Sequence, residues 1–126
     1  MKLDIVTPLG RIFEGEIKEV VLPGIEGEFG VLEGHSPLTT ILQPGLIVVK
    51  KADGNEEALA VNGGFVEVSP NRVNVLADVV QPIKGSTSTE IAEAIEKAKK
   101  IIKEASDSDA LVASVEARIE NVGRNL

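Results

Sequence analysis

Residues 22–46 read LPGIEGEFGVLEGHSPLTTILQPGL, and the glycines at 24, 27, 30 and 34 release the backbone into tight turns around one short strand. No Gly-Lys-Ser/Thr follows, so the segment does not cradle phosphates as a P-loop does. Gly27-x-x-Gly30 has no strand–helix context and makes no dinucleotide fingerprint. His35 is the only histidine, and without a second His or any Cys it forms a poor metal-ligand set. Ser36 beside it implies no triad, because no third group is positioned. Glu26, Glu28 and Glu33 crowd the same loop. Acid–base work by paired carboxylates needs a pocket and split pKa values. An exposed acidic loop, able to dock on a basic partner surface, asks for less. Two readings stay open here: plain turn chemistry, or a shaped loop that meets a partner.

Outward from this segment, the residues up to about 85 alternate in short β-type runs. Leu3 and Ile5 flank Asp4, Pro8-Leu9-Gly10 turns, Arg11 to Glu14 restarts, and Glu16 to Leu22 carries Ile17, Val20 and Val21. Gly45 to Lys51 holds Leu46-Ile47-Val48-Val49, and Asp53-Gly54 then marks a hairpin turn because Gly supplies positive φ without strain. Ala58 to Asn62 returns, Gly63-Gly64 breaks, Phe65 to Ser69 alternates, Pro70-Asn71 turns, and Arg72 to Val80 carries Val73, Val75 and Ala77. Roughly eight to ten short strands at this spacing predict an all-β sandwich or flattened barrel. Several runs are apolar on both sides of the pleat, which suits sheets whose outer faces are partly covered, including by another protein.

After Pro82 the period changes. Thr87-Ser88-Thr89-Glu90 has capping-box spacing, and Ile91, Ala94, Ile95, Ala98, Ile102 and Ala105 follow a helical stripe. Glu93–Lys97 and Glu96–Lys100 stand at i,i+4 in the favourable order. Ser106 to Asp109 stops this helix and caps the next, whose stripe is Leu111, Val112, Val115, Ile119 and Val122, with Gly123 as the expected C-terminal cap. The reading is therefore two parts: a β-sandwich domain over 1–85 and a C-terminal αα-hairpin over 86–126. Isolated helices of about 12–15 residues are marginal in water, so the hairpin should depend on docking, either on its own sandwich or on a partner. Two competing docking sites would make it a switch.

Composition removes several function classes. The 126 residues carry a net charge of −7, with acidic residues outnumbering basic ones 12 to 7 before residue 86 and 8 to 6 after it. An acidic surface repels phosphate backbones and anionic headgroups, so neither nucleic acid nor direct lipid binding is expected. Three Phe without Trp or Tyr give few stacking platforms. Without cysteine there is no disulfide framework or thiolate chemistry. No signal or transit pattern opens the chain and no apolar run approaches about 20 residues, so membrane insertion is not expected and any membrane link goes through a protein.

The pattern Gly24-x-Glu26-Gly27-Glu28-Phe29-Gly30-Val31-Leu32-x-Gly34-His35-x-Pro37-Leu38 resembles the signature of the epsilon subunits of bacterial F-type ATP synthases. Leu3-Asp4-Ile5-Val6-Thr7-Pro8, Pro44-Gly45, Gly63 to Val68 and Val73-x-Val75-Leu76-Ala77-Asp78 resemble it too, in order and at family spacing, while the helical tail fits in length and pattern more than in residues. The resemblance implies a ten-stranded sandwich followed by a two-helix hairpin. It implies a non-catalytic rotor subunit of the central stalk, bound to the gamma subunit and resting on the c-subunit ring, on the cytoplasmic side of the cell membrane as a peripheral protein. It would couple ion translocation to ATP synthesis. The resemblance puts Glu28 toward the ring and His35 toward gamma, with Glu26, Phe29 and Gly30 in the same interface segment. The family's hairpin folds down on the sandwich or extends into the head, where contact with the alpha and beta subunits inhibits hydrolysis. Some members bind ATP through Ile/Leu-Asp-x-x-Arg-Ala at the start of the first helix. Here Ser86 to Ile91 supplies neither the Asp nor the Arg, so no cofactor is expected. With only Arg118 and Arg124 basic in the second helix, charge pairing with the head would be weak, and coupling ranks above inhibition. Two other classes remain in view: a free-standing binding module with a helical lid, and a small hydrolase using Glu28 and His35.

Overall fold

The β-branched runs pair as strands because their alternate side chains reach a shared interior. In the computed structural model, which describes residues 1–126, they form β1 (Lys2–Thr7), β2 (Gly10–Gly24), β3 (Gly27–Leu32), β4 (Leu38–Leu42), β5 (Gly45–Lys51), β6 (Glu56–Val61), β7 (Gly64–Ser69), β8 (Arg72–Leu76) and β9 (Val80–Pro82). Two helices follow, α1 (Ser88–Ala105) and α2 (Asp109–Arg124). The expected sandwich and helix hairpin are both present, with nine strands rather than about ten. Arg11–Glu14 and Glu16–Leu22, read as separate runs, are one 15-residue strand, β2. Gly15 is extended and its missing side chain interrupts nothing.

The first half of β2 pairs with β1, which lies parallel to β8; β8, β7 and β4 complete that layer. The second half pairs with β3 on one side and β5 on the other, and β6 and β9 complete the second layer. A register shift between Ile17 and Glu19 marks the passage from one layer to the other, the bend that a bulge provides. Between the layers sit Leu3, Ile5, Val20, Leu22, Val31, Ile47, Val49, Leu59, Val61, Val66, Val73 and Val75, all fully buried.

A second core lies outside the sandwich. Leu46, Ala58 and Ala60 point outward from β5 and β6, and with Ile83 they meet Ala98, Ile102, Val115 and Ile119 of the helices. This explains the doubly apolar β5 and β6: their outer face is covered by the chain's own hairpin. Ala58 and Ala60 give that face a low floor. The Thr87 hydroxyl accepts from Glu90 N at 3.1 Å, and the Ser108 hydroxyl accepts from Leu111 N at 3.2 Å, as the capping pattern requires. Gly123 is not the cap. It lies inside α2, where a Cβ would run into Ile95 of α1, and Asn125 caps instead. The expected Glu93–Lys97 and Glu96–Lys100 pairs are not formed; Lys100 pairs with Glu104 at 3.9 Å and Lys99 bonds Glu120 across the hairpin.

Candidate functional site

The β2–β3 ladder decides where the acidic segment points. Val20 pairs with Val31 and Leu22 with Phe29, both pairs turned inward, so Phe29 is half-buried against the core. Pro23 pairs with Glu28 and Val21 with Gly30 on the opposite side, the face that also carries the hairpin. Ile25 and Glu26 form the exposed turn, and Gly27, the first residue of β3, takes φ 134°, a conformation that suits only glycine. His35 lies in the β3–β4 loop, its Nδ1 2.7 Å from the Ser36 carbonyl oxygen. Gly34 N, next to it, donates to the Pro70 carbonyl at 2.6 Å and ties that loop to the β7–β8 turn. The structure thus groups Glu26, Glu28 and Gly30 at one end of β3 and leaves His35 past the other. Leu32 lies four strand steps from Glu28, about 13 Å at 3.3 Å each, so Glu28 and His35 are not brought together as an acid–base pair. Glu28 instead meets Arg118 of α2, with Nη1 and Oε2 2.8 Å apart.

The other layer shows an open face whose apolar residues the sequence reading did not single out. Ile41, Phe65, Leu76 and Val6 stand in register across β4, β7, β8 and β1, all pointing away from the core. Ile41, Phe65 and Leu76 are 56%, 39% and 54% exposed, so nothing in the chain covers them. Ile25 joins the row through its N–H, which donates to Ile41 O at 2.9 Å. Beside the row a groove of about 500 Å³ runs along Val6, Pro8, Gly63, Gly64, Phe65 and Leu76. Ile41, Phe65 and Leu76 are each a large apolar residue at a solvent-side position of its strand, but their shared register appears only in the pairing of β4, β7 and β8. On the same face the buried Asp4 carboxylate lies between Arg11 at 3.4 Å and Arg72 at 3.3 Å, which pins β1 to its neighbours.

Hydrogen bonding to Lys99 holds Glu120 below the usual carboxylate range, and Glu120 raises Lys99 in return. The Asn55 N–H holds Asp53 low in the β5–β6 turn. No group of three His, Cys, Asp or Glu side chains stands close enough to hold a metal ion. No helix is long and apolar enough to cross a membrane.

These features define a β-sandwich module with one outer face covered by its own helices and one apolar face open. Residues 1–83 match the family model described as the ATP synthase, Delta/Epsilon chain, beta-sandwich domain. The ATP synthase epsilon chain of a Nitratiruptor species is 48% identical over 124 residues, 98% of this chain and 96% of that one. The epsilon chain of a Sulfurovum species is 44% identical over 125 residues, 99% and 97% of the two chains. Among solved structures, a chain of the Euglena gracilis mitochondrial ATP synthase, in an assembly of OSCP, F1 and c-ring, superposes with a TM-score of 0.62 at 26% identity, covering 94% of this chain and 71% of that one. A chain from the Tetrahymena thermophila mitochondrial ATP synthase central stalk and c-ring shares the fold, with a TM-score of 0.53 at 14% identity, covering 83% and 95%. The chain belongs to the ATP synthase epsilon-chain family.

Proposed function

We propose that the chain is a non-catalytic coupling subunit of the central stalk of an F-type ATP synthase, turning with the rotor. The observation that carries this is the in-register row Ile41–Phe65–Leu76, left bare on a sandwich that buries its other outer face under helices. An apolar stripe with a slot beside it fits a protein partner. In this reading gamma lies on the open face, reached by His35 at one end and by Ile25 and Ile41 at the other. The exposed β2–β3 turn, with Glu26, Glu28 and Gly30, meets the c-ring. Phe29 serves that interface from behind, filling the core under the turn. The subunit is peripheral, on the cytoplasmic side of the membrane, and no ATP or other cofactor is needed for the coupling role. The sandwich, 1–85, transmits torque because packed interiors deform little. The hairpin, 86–126, regulates, with contact to alpha and beta when it leaves its seat.

The test is recovery of the chain from native membranes. The wild-type chain should bring alpha, beta and gamma with it, and Phe65→Asp combined with Leu76→Asp should fold normally yet lose about tenfold or more of that recovery, the scale of a truncated hot spot. Recovery of the wild-type chain without those subunits, or undiminished recovery of the double variant, overturns the assignment.

A further inference from the structure

The two helices are not seated alike. α1 lies over β6 and β9, whereas α2 touches the sandwich mainly at β5. Beside α2 a groove of about 800 Å³ separates Asn121, Val122 and Asn125 from Val48, Glu57 and Lys84, so beyond the buried Ile119 the end of this helix is only partly floored. Arg118 stands at that groove and reaches over β5 and β2 to Glu28 on β3, 2.8 Å away. It is the one ion pair between hairpin and sandwich; the other basic residues of the helices pair within the hairpin or stay in solvent, and no side-chain hydrogen bond joins the two parts. Glu28 forms no other ion pair.

We propose that the Arg118–Glu28 ion pair is a latch holding α2 on the sandwich, so that a cationic partner group that takes Glu28 loosens α2. The exclusivity is geometric: Glu28 lies in the β3 segment that the proposed function assigns to the ring, and its carboxylate is already committed to the hairpin. The partner half of this statement rests on that assignment; the latch itself does not. Linkage makes the coupling reciprocal, so seating α2 weakens a cation's hold on Glu28 by the factor by which that cation weakens α2. With the two side chains 41% and 48% exposed, the factor is that of a surface pair, about two- to fivefold. Such a factor biases a helix whose floor is incomplete and would not move one packed on all sides.

Hydrogen exchange on the full-length chain alone reads the latch. Glu28→Gln, which mimics a carboxylate engaged elsewhere, and Arg118→Gln should each speed amide exchange in α2 about two- to fivefold, with strands of the inner core unchanged as a folding control. The double variant should exchange no faster than either single one, and Glu28→Arg with Arg118→Glu should restore protection. In about 1 M salt the wild type should approach the single variants, because the Debye length falls to about 3 Å. Unchanged α2 exchange in Glu28→Gln, or additive effects in the double variant, overturns the proposal. No other subunit is present, so a failure here is separate from a failure of the stalk assignment.

Discussion

At Gly24 a Cβ would lie 2.7 Å from the Gly27 carbonyl oxygen and 2.9 Å from the Phe29 ring. The glycines of the acidic segment therefore do different jobs. Gly27 and Gly34 are needed for positive φ, Gly24 for close approach, and Gly30 for neither, since its nearest neighbour is the flexible Glu19 carboxylate at 3.4 Å. Gly24→Ala should cost about 1–3 kcal/mol, the usual scale for an overpacked core, because neither the backbone carbonyl nor the wedged ring yields easily. Urea denaturation checks this, and Gly30→Ala, expected within about 0.5 kcal/mol, is the control. Sequence reasoning marked all four as turn glycines. It could not separate a conformational need from a steric one, because the ring that fills the space at Gly24 arrives from the next strand.

The helix hairpin was legible as an element because capping and stripe signals are local. Thr87 and Ser108 cap as their spacing predicts, and every striped position lies inward or half-buried. Gly123 was misread because a glycine near a helix end looks the same whether it turns the chain or lets Ile95 approach. The charge pairs were misread for a related reason: long side chains choose partners across the hairpin, which no i,i+4 rule sees. Lys99–Glu120 carries a pH prediction. Glu120 has a folded pKa below its usual value near 4.3, so its contribution is present above that value and lost as pH falls through the lowered one. Lys99 has a raised folded pKa, so its contribution is full below its usual value near 10.4 and lost as pH rises through the raised one. Protection of α2 should thus be level from about pH 5 to 10 and decline below about pH 4. Glu120→Gln should lower the plateau slightly and remove this pair's acid limb, read by hydrogen exchange across pH.

For the whole molecule, the two separate cores predict modular behaviour. Removing 86–126 leaves the inner core intact while uncovering Leu46, Ala58, Ala60 and Ile83. The truncated chain should keep a cooperative thermal transition, bind an apolar dye more strongly than the full chain, and self-associate as its concentration rises, seen by sedimentation. Loss of cooperative unfolding would count against the division at residue 85. The sandwich was readable from alternation, and the covered outer face of β5 and β6 from their double-sided apolarity. The open row Ile41–Phe65–Leu76 was not, because it exists only once β4, β7 and β8 are aligned. The alanine floor beneath the hairpin has one more consequence. Ala58 and Ala60 form a shallow stretch of the seat, between the larger Leu46 and Ile83 that the helices also cover. Under the proposed reading, a hairpin leaving this seat would uncover the outer cluster and leave the inner core of the sandwich, a separate cluster, closed.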